Sequence, residues 1–97
     1  MRKLLFIAAL LISPLAQADD CRNHYTVAQA LMEHRQEGVM SVVDMMEIAD
    51  QQPDPEFREA MKTIIRLAYE YPQYNSPEYQ RKAVMEFANE IYLRCQP

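Results

Sequence analysis

One glycine occurs in the whole 97-residue chain, and no segment alternates β-branched residues with polar ones. The first absence excludes a glycine-rich phosphate-binding loop, and the second excludes an obvious strand. Beyond residue 18 there are only two serines, Ser41 and Ser76, and two histidines, His24 and His34. A nucleophile needs a base and an orienting group, so the stock from which a hydrolase could be built is thin. Long apolar runs are missing too. The longest, Leu4 to Ile12, has nine residues, against about 20 for a membrane-spanning helix.

That short run has neighbours that give it meaning. Arg2 and Lys3 precede it, Pro14 follows as an expected helix break, and Ala16-Gln17-Ala18 offers a small-x-small cleavage pattern. Together these read as a secretory signal peptide over residues 1–18, cut after Ala18. Asp19 and Asp20 stand between the cut and Cys21, which excludes a lipid-anchored cysteine at the new terminus. The expectation is a periplasmic or secreted domain, residues 19–97, with no membrane attachment after cleavage. Losing Arg2 and Lys3 takes the net charge from −4 to −6. An acidic chain of this size is a poor partner for nucleic acid or an anionic membrane.

Cysteine occurs twice, as Cys21 and Cys95, near opposite ends of the exported segment. Two cysteines in an exported chain allow one pairing. Neither belongs to a C-x-x-C motif, so a thioredoxin-like role has no support. A domain this small has a thin core, and a bond between its ends is expected to stabilise it by about 4 kcal/mol through loop closure.

Helix punctuation then divides the chain into four. A first helix is expected from about Asp20 to Glu37, with Gly38 in the left-handed position after it. Ser41 followed by Asp44 resembles a capping box opening a short second helix to about Gln51. Asp54-Pro55-Glu56 and Ser76-Pro77-Glu78 each combine an N-cap, a proline at the first helical position and an acidic first turn. The third helix should stop near Tyr71, before Pro72, and the fourth should reach about Arg94. At 100° per residue, Phe57, Ala60, Met61, Ile64, Ile65, Leu67, Ala68 and Tyr71 share one face of the third helix. Val84, Phe87, Ala88, Ile91, Tyr92 and Cys95 share one face of the fourth, opposite a column of Lys82, Glu86, Glu90 and Arg94. Cys21 falls with Tyr25, Ala28, Leu31 and Met32. The fold class is therefore all-α: a small bundle of about four helices stapled by one disulfide between the first and last.

Several residues invite a functional reading beside a structural one. His24 projects into the apolar stripe of the first helix, where a buried imidazole would be pH-sensitive. Arg35 projects into the same stripe and needs a partner, either solvent reached by snorkelling or a carboxylate such as Asp44 or Asp50. The column Arg58, Lys62 and Arg66 is expected to be a solvated face neutralised by Glu59 and Glu70. Six methionines beyond residue 18 bring periplasmic copper to mind, yet they scatter without M-x-x-M spacing. Adaptable packing is the expectation for them, with no metal and no cofactor assigned. The second helix is apolar over more than half its circumference, so Met45 and Met46 are candidates for a protein-binding face. Four of six tyrosines fall in "YEYPQYNSPEY", residues 69–79. Tyr69, Tyr74 and Tyr79 there are candidates for a contact patch, while Tyr71 and Tyr92 project inward.

The segments "EHRQEGVMS" (33–41), "AYEYPQYNSPEY" (68–79) and "FANEIYLRC" (87–95) resemble a pattern in small uncharacterised exported bacterial proteins. That pattern is R-x-x-G-x-x-S after the first helix, Y-x-x-P-x-x-S before the last, and a closing cysteine. Arg35 to Ser41 fits its first element, and Tyr69 to Ser76 fits the second with one extra residue. The resemblance implies a helical fold and a periplasmic address, and no activity. The functional expectation is a non-enzymatic binding module, such as an inhibitor or an immunity protein, acting on an unknown protein partner or forming a homodimer. An acid- or stress-protective holdase is the alternative, and a small hydrolase a more distant one.

Overall fold

A computed structural model describes the backbone of residues 2–96 and the side chains of residues 20–96. All regular structure among them is helical: α1 (Arg2–Glu37), α2 (Val42–Asp50), α3 (Pro55–Ala68) and α4 (Pro77–Cys95). The expected leader, residues 1–18, lies outside the described side chains. Its backbone is continuous with α1, so Pro14 does not end the helix as expected. Proline forfeits one helical hydrogen bond, but its fixed φ is compatible with a helix.

The other boundaries follow local chemistry. Gly38 has φ +70° and its N–H donates to the His34 carbonyl at 3.0 Å, closing α1. A Cβ at this position would displace the side-chain amide of Gln73, but it is the positive φ that calls for glycine. Ser41 Oγ accepts from the Asp44 N–H at 3.1 Å, and Asp54 Oδ2 accepts from the Phe57 N–H at 3.1 Å. Ser76 Oγ does the same for Tyr79 at 3.2 Å. α3 ends at Ala68, three residues before the expected stop. There the Glu70 and Tyr71 N–H groups turn to the carbonyls of Leu67 and Ala68. These tighter i→i+3 bonds use up orphan carbonyls of the last turn.

α1 is the central element, with α4 and α3 packed against it and α2 against α3. Cys21 and Cys95 are bonded, with Cα atoms 5.4 Å apart, and this fixes the lower end of the α1–α4 pair. Cys21 is fully buried and Cys95 half-buried. Bonded cysteines are the state maintained in oxidising compartments. No helix among the described residues is long and apolar enough to cross a membrane.

The core consists of Phe87, Met32, Met45 and Ile65, with Ala28, Ala49, Ala68, Ala83 and Ala88 between them. Each helix thus supplies at least one buried alanine, which lets backbones approach closely. The large side chains stabilise the fold by about 1.5–3 kcal/mol each through burial. Tyr25 and Tyr92 meet edge to face across α1 and α4, with centroids 6.2 Å apart. On the solvated side of α4, Lys82 reaches Glu86 at 4.0 Å and Arg94 reaches Glu90 at 2.8 Å, the expected i,i+4 column.

Candidate functional site at the tyrosine corner

The upper end of the bundle is where α1 stops, α3 turns out and α4 begins. Two consecutive residues of α1 hold this corner together. Gln36 is only 3 % exposed. Its Nε2 donates to the Pro72 carbonyl at 2.9 Å and touches Met32 Sδ at 3.5 Å, while its Oε1 accepts from the Tyr74 N–H at 2.8 Å. Its backbone carbonyl accepts from Gln73 Nε2 at 3.2 Å. A buried amide must find partners for both ends, and the link between α3 and α4 supplies them. Sequence reading passed over Gln36, although it lies one turn after Met32 on the buried stripe.

Arg35 does not meet Asp44 or Asp50. Its Nη2 and Nε donate to the Tyr71 carbonyl at 3.2 and 3.4 Å, and its guanidinium lies 4.7 Å above the centre of the Tyr69 ring. The expected carboxylate is thus replaced by a carbonyl left free at the end of α3 and by an aromatic face. The side chain is half-buried.

The tyrosines divide into an inner and an outer pair. Tyr69, half-buried under Arg35, donates its hydroxyl to the Met40 carbonyl at 2.9 Å. Burial pushes its pKa up, opposed by Arg35 and assisted by Asp44. Tyr71 packs edge-on against Phe87 at 5.3 Å and donates to Glu90 Oε2 at 3.0 Å. Burial, followed by this hydrogen bond and the Glu90 charge, raises its pKa to about 12. Both make contacts within the fold, and of the contact candidates Tyr69 is therefore the one tied inward.

Tyr74 and Tyr79 are the outer pair, 36 % and 57 % exposed, with ring centres 6.0 Å apart at 34°. Neither is free to wander. The backbone of Tyr74 is held on one side by Gln36 and on the other by Gln80 Nε2, which donates to its carbonyl at 2.8 Å. Tyr79 sits in the first turn of α4, fixed by the Ser76 cap. The same two glutamines form part of the wall of an open groove of about 530 Å³ between α1 and α4. Tyr25, Val84 and Met85 give it apolar surface, and Glu33, Glu37 and Arg81 its charge.

Elsewhere the fold redistributes the candidates. Met45 is 1 % exposed and belongs to the core, so it offers no contact surface. Met46 is half-buried and packs on that core. The outward residues of this region are Val42, Val43 and Ile48, with Val39 before them. α2 thus turns inward the very side that carries the two candidates and leaves the valines and Ile48 outside. His24 is half-buried rather than enclosed, at the rim of a cavity of about 270 Å³ with Ile64, Leu67, Ile91 and Cys95. Within the basic column, Lys62 and Arg58 have partners other than Glu59 and Glu70. Lys62 pairs with Asp50 at 2.7 Å, and Arg58 donates to the carbonyls of Gln52 at 3.0 Å and Pro53 at 3.4 Å. Both serine hydroxyls are engaged as caps. Among the described residues no three of His, Cys, Asp and Glu group as a metal site.

No family model, curated protein or solved structure matches this chain.

Proposed function

We propose that this chain is an exported, periplasmic protein-binding module of the inhibitor or immunity type, without catalysis of its own, and that Tyr74 and Tyr79 are its contact residues. The supporting observation is that two exposed aromatics are held by a link hydrogen-bonded to a buried anchor, Gln36. Tyrosines offer large amphipathic contact area with few torsions to immobilise. Holding their backbone in advance reduces the ordering cost of association further. The disulfide suits a domain that keeps one shape outside the cytoplasm.

The holdase alternative draws less support. A protein that opens in acid needs locks that titrate between pH 7 and 2. The Gln36 network at the corner consists of amides and carbonyls, and the opposite end is closed by a disulfide, none of which changes protonation in that range. Among the described residues, carboxylates enter such contacts at Asp50 with Lys62, Glu86 with Lys82, Glu90 with Tyr71 and Arg94, and the Asp54 cap, none of them in the Gln36 network.

The test is capture of a partner from periplasmic extract by the purified disulfide-bonded protein, compared with Tyr74→Ala and Tyr79→Ala. Both variants should fold as the parent does and recover clearly less partner. Equal recovery by parent and both variants would remove the corner as the contact surface. Loss of near-ultraviolet dichroism with dye uptake at acid pH would favour the holdase instead, and a stable dimer that both substitutions dissolve would identify the partner as a second copy.

A further inference from the structure

The methionines beyond residue 18 stand at 32, 40, 45, 46, 61 and 85, and the fold gathers three of them. Met40 from the α1–α2 link, Met45 of α2 and Met61 of α3 line one cavity of about 220 Å³, and His34 of α1 lines it as well. The cavity lies where the three helices meet, and three of its lining residues, Ala30, His34 and Ile48, are exposed. We propose that it is a binding site for a soft monovalent cation, Cu(I), with the thioethers of Met40, Met45 and Met61 and the imidazole of His34 as donors.

The donor chemistry selects the ion. Thioether sulfur is neutral and polarizable and favours Cu(I), for which imidazole is also a suitable ligand, whereas carboxylates and carbonyls serve magnesium, calcium and manganese. No carboxylate lines this cavity. Thiolates would outcompete thioethers, but both cysteines are bonded to each other, so methionine is the soft donor left in an oxidising compartment. Thioethers also need no deprotonation to bind, unlike cysteine. The methionine side chain has three rotatable bonds and can turn its sulfur toward an ion without moving the backbone. The other methionines have different surroundings: Met32 Sδ is engaged by Gln36, and Met46 and Met85 do not line the cavity. This site is independent of the tyrosine corner and of any partner bound there.

Silver(I), a redox-stable stand-in for Cu(I), is titrated into the purified disulfide-bonded protein carrying isotope-labelled methionine methyls. The expected result is saturation at one equivalent, with the Met40, Met45 and Met61 methyls and the His34 ring shifted and Met32, Met46 and Met85 unmoved. Competition for Cu(I) with a chromogenic chelator then compares the parent with Met40→Leu/Met61→Leu, substitutions that preserve volume. Affinity should fall at least about 100-fold, since even outer-shell partners of a metal are worth 10–100-fold. Absence of one-to-one saturation, shifts confined to Met46 or Met85, or undiminished Cu(I) binding by a folded leucine variant would each overturn the proposal. If the leucine variant fails to fold, the methyl pattern of the parent decides alone.

Discussion

The side-chain amide of Gln36 accepts the Tyr74 N–H at 2.8 Å across a separation of 38 residues, and the same amide donates to the carbonyl of Pro72. A single buried side chain thereby grips the α3–α4 link on both sides of Gln73. The link has almost no regular structure of its own, so its shape is set by what α1 presents to it.

Replacing Gln36 by leucine keeps the bulk but removes both bonds. The Pro72 carbonyl and the Tyr74 N–H are then left without partners, at about 1–3 kcal/mol for each unsatisfied buried group. Gln36→Leu should lower unfolding free energy by about 2–4 kcal/mol, read as a reduced urea midpoint at unchanged slope. A loss below about 0.5 kcal/mol would mean that the link finds water instead, and that the corner is not pre-organised.

The bond between Cys21 and Cys95 closes a loop spanning 74 positions. Removing it through Cys21→Ser/Cys95→Ser should cost about 4 kcal/mol on the chain-entropy account. Against a total of about 5–15 kcal/mol for a typical domain, that is a large fraction. Urea unfolding of the double-serine protein beside the parent measures it. Indistinguishable midpoints would show that the helices hold without the staple.

Alkaline pH should act on Tyr71. Its pKa is about 12 in the fold against 10.0 for the ordinary group, so the folded state keeps the proton over a range where the unfolded state has lost it. Stability from this source is fully present below pH 10 and is lost as pH rises toward 12. Tyr71→Phe removes the hydroxyl bonded to Glu90 and should flatten that part of the alkaline limb. Its tyrosinate absorbance titration should lack the latest-ionising component. A variant with the same limb as the parent would assign the pH dependence elsewhere.

Much of this architecture could be read from the sequence because its determinants act over three or four residues. Ser41, Asp54 and Ser76 cap helices, and Gly38 ends one, through bonds to neighbours in the chain. The pairing of Cys21 with Cys95 needed only the count of cysteines and the inference of export. The projected faces of α3 and α4 hold as well, because helical periodicity is local. The misjudged residues are those whose partners come from elsewhere. Arg35 needs a partner, but the one it finds, the Tyr71 carbonyl, lies 36 residues away in the link after α3. Met45 stands on a helix that is apolar over more than half its circumference, where periodicity cannot tell which part will be covered.

The sequence by itself determined four helices, the caps that open the last three, the glycine that closes the first, and which two sulfurs join, since backbone capping and amphipathic spacing are properties of short stretches. Only the tertiary structure decided that Gln36 is buried, that Tyr74 and Tyr79 face outward while Tyr69 and Tyr71 do not, and that Met40, Met45 and Met61 share a cavity with His34. Those outcomes depend on which helix packs on which. Contacts between residues dozens of positions apart carry no periodic signature that a single chain could reveal.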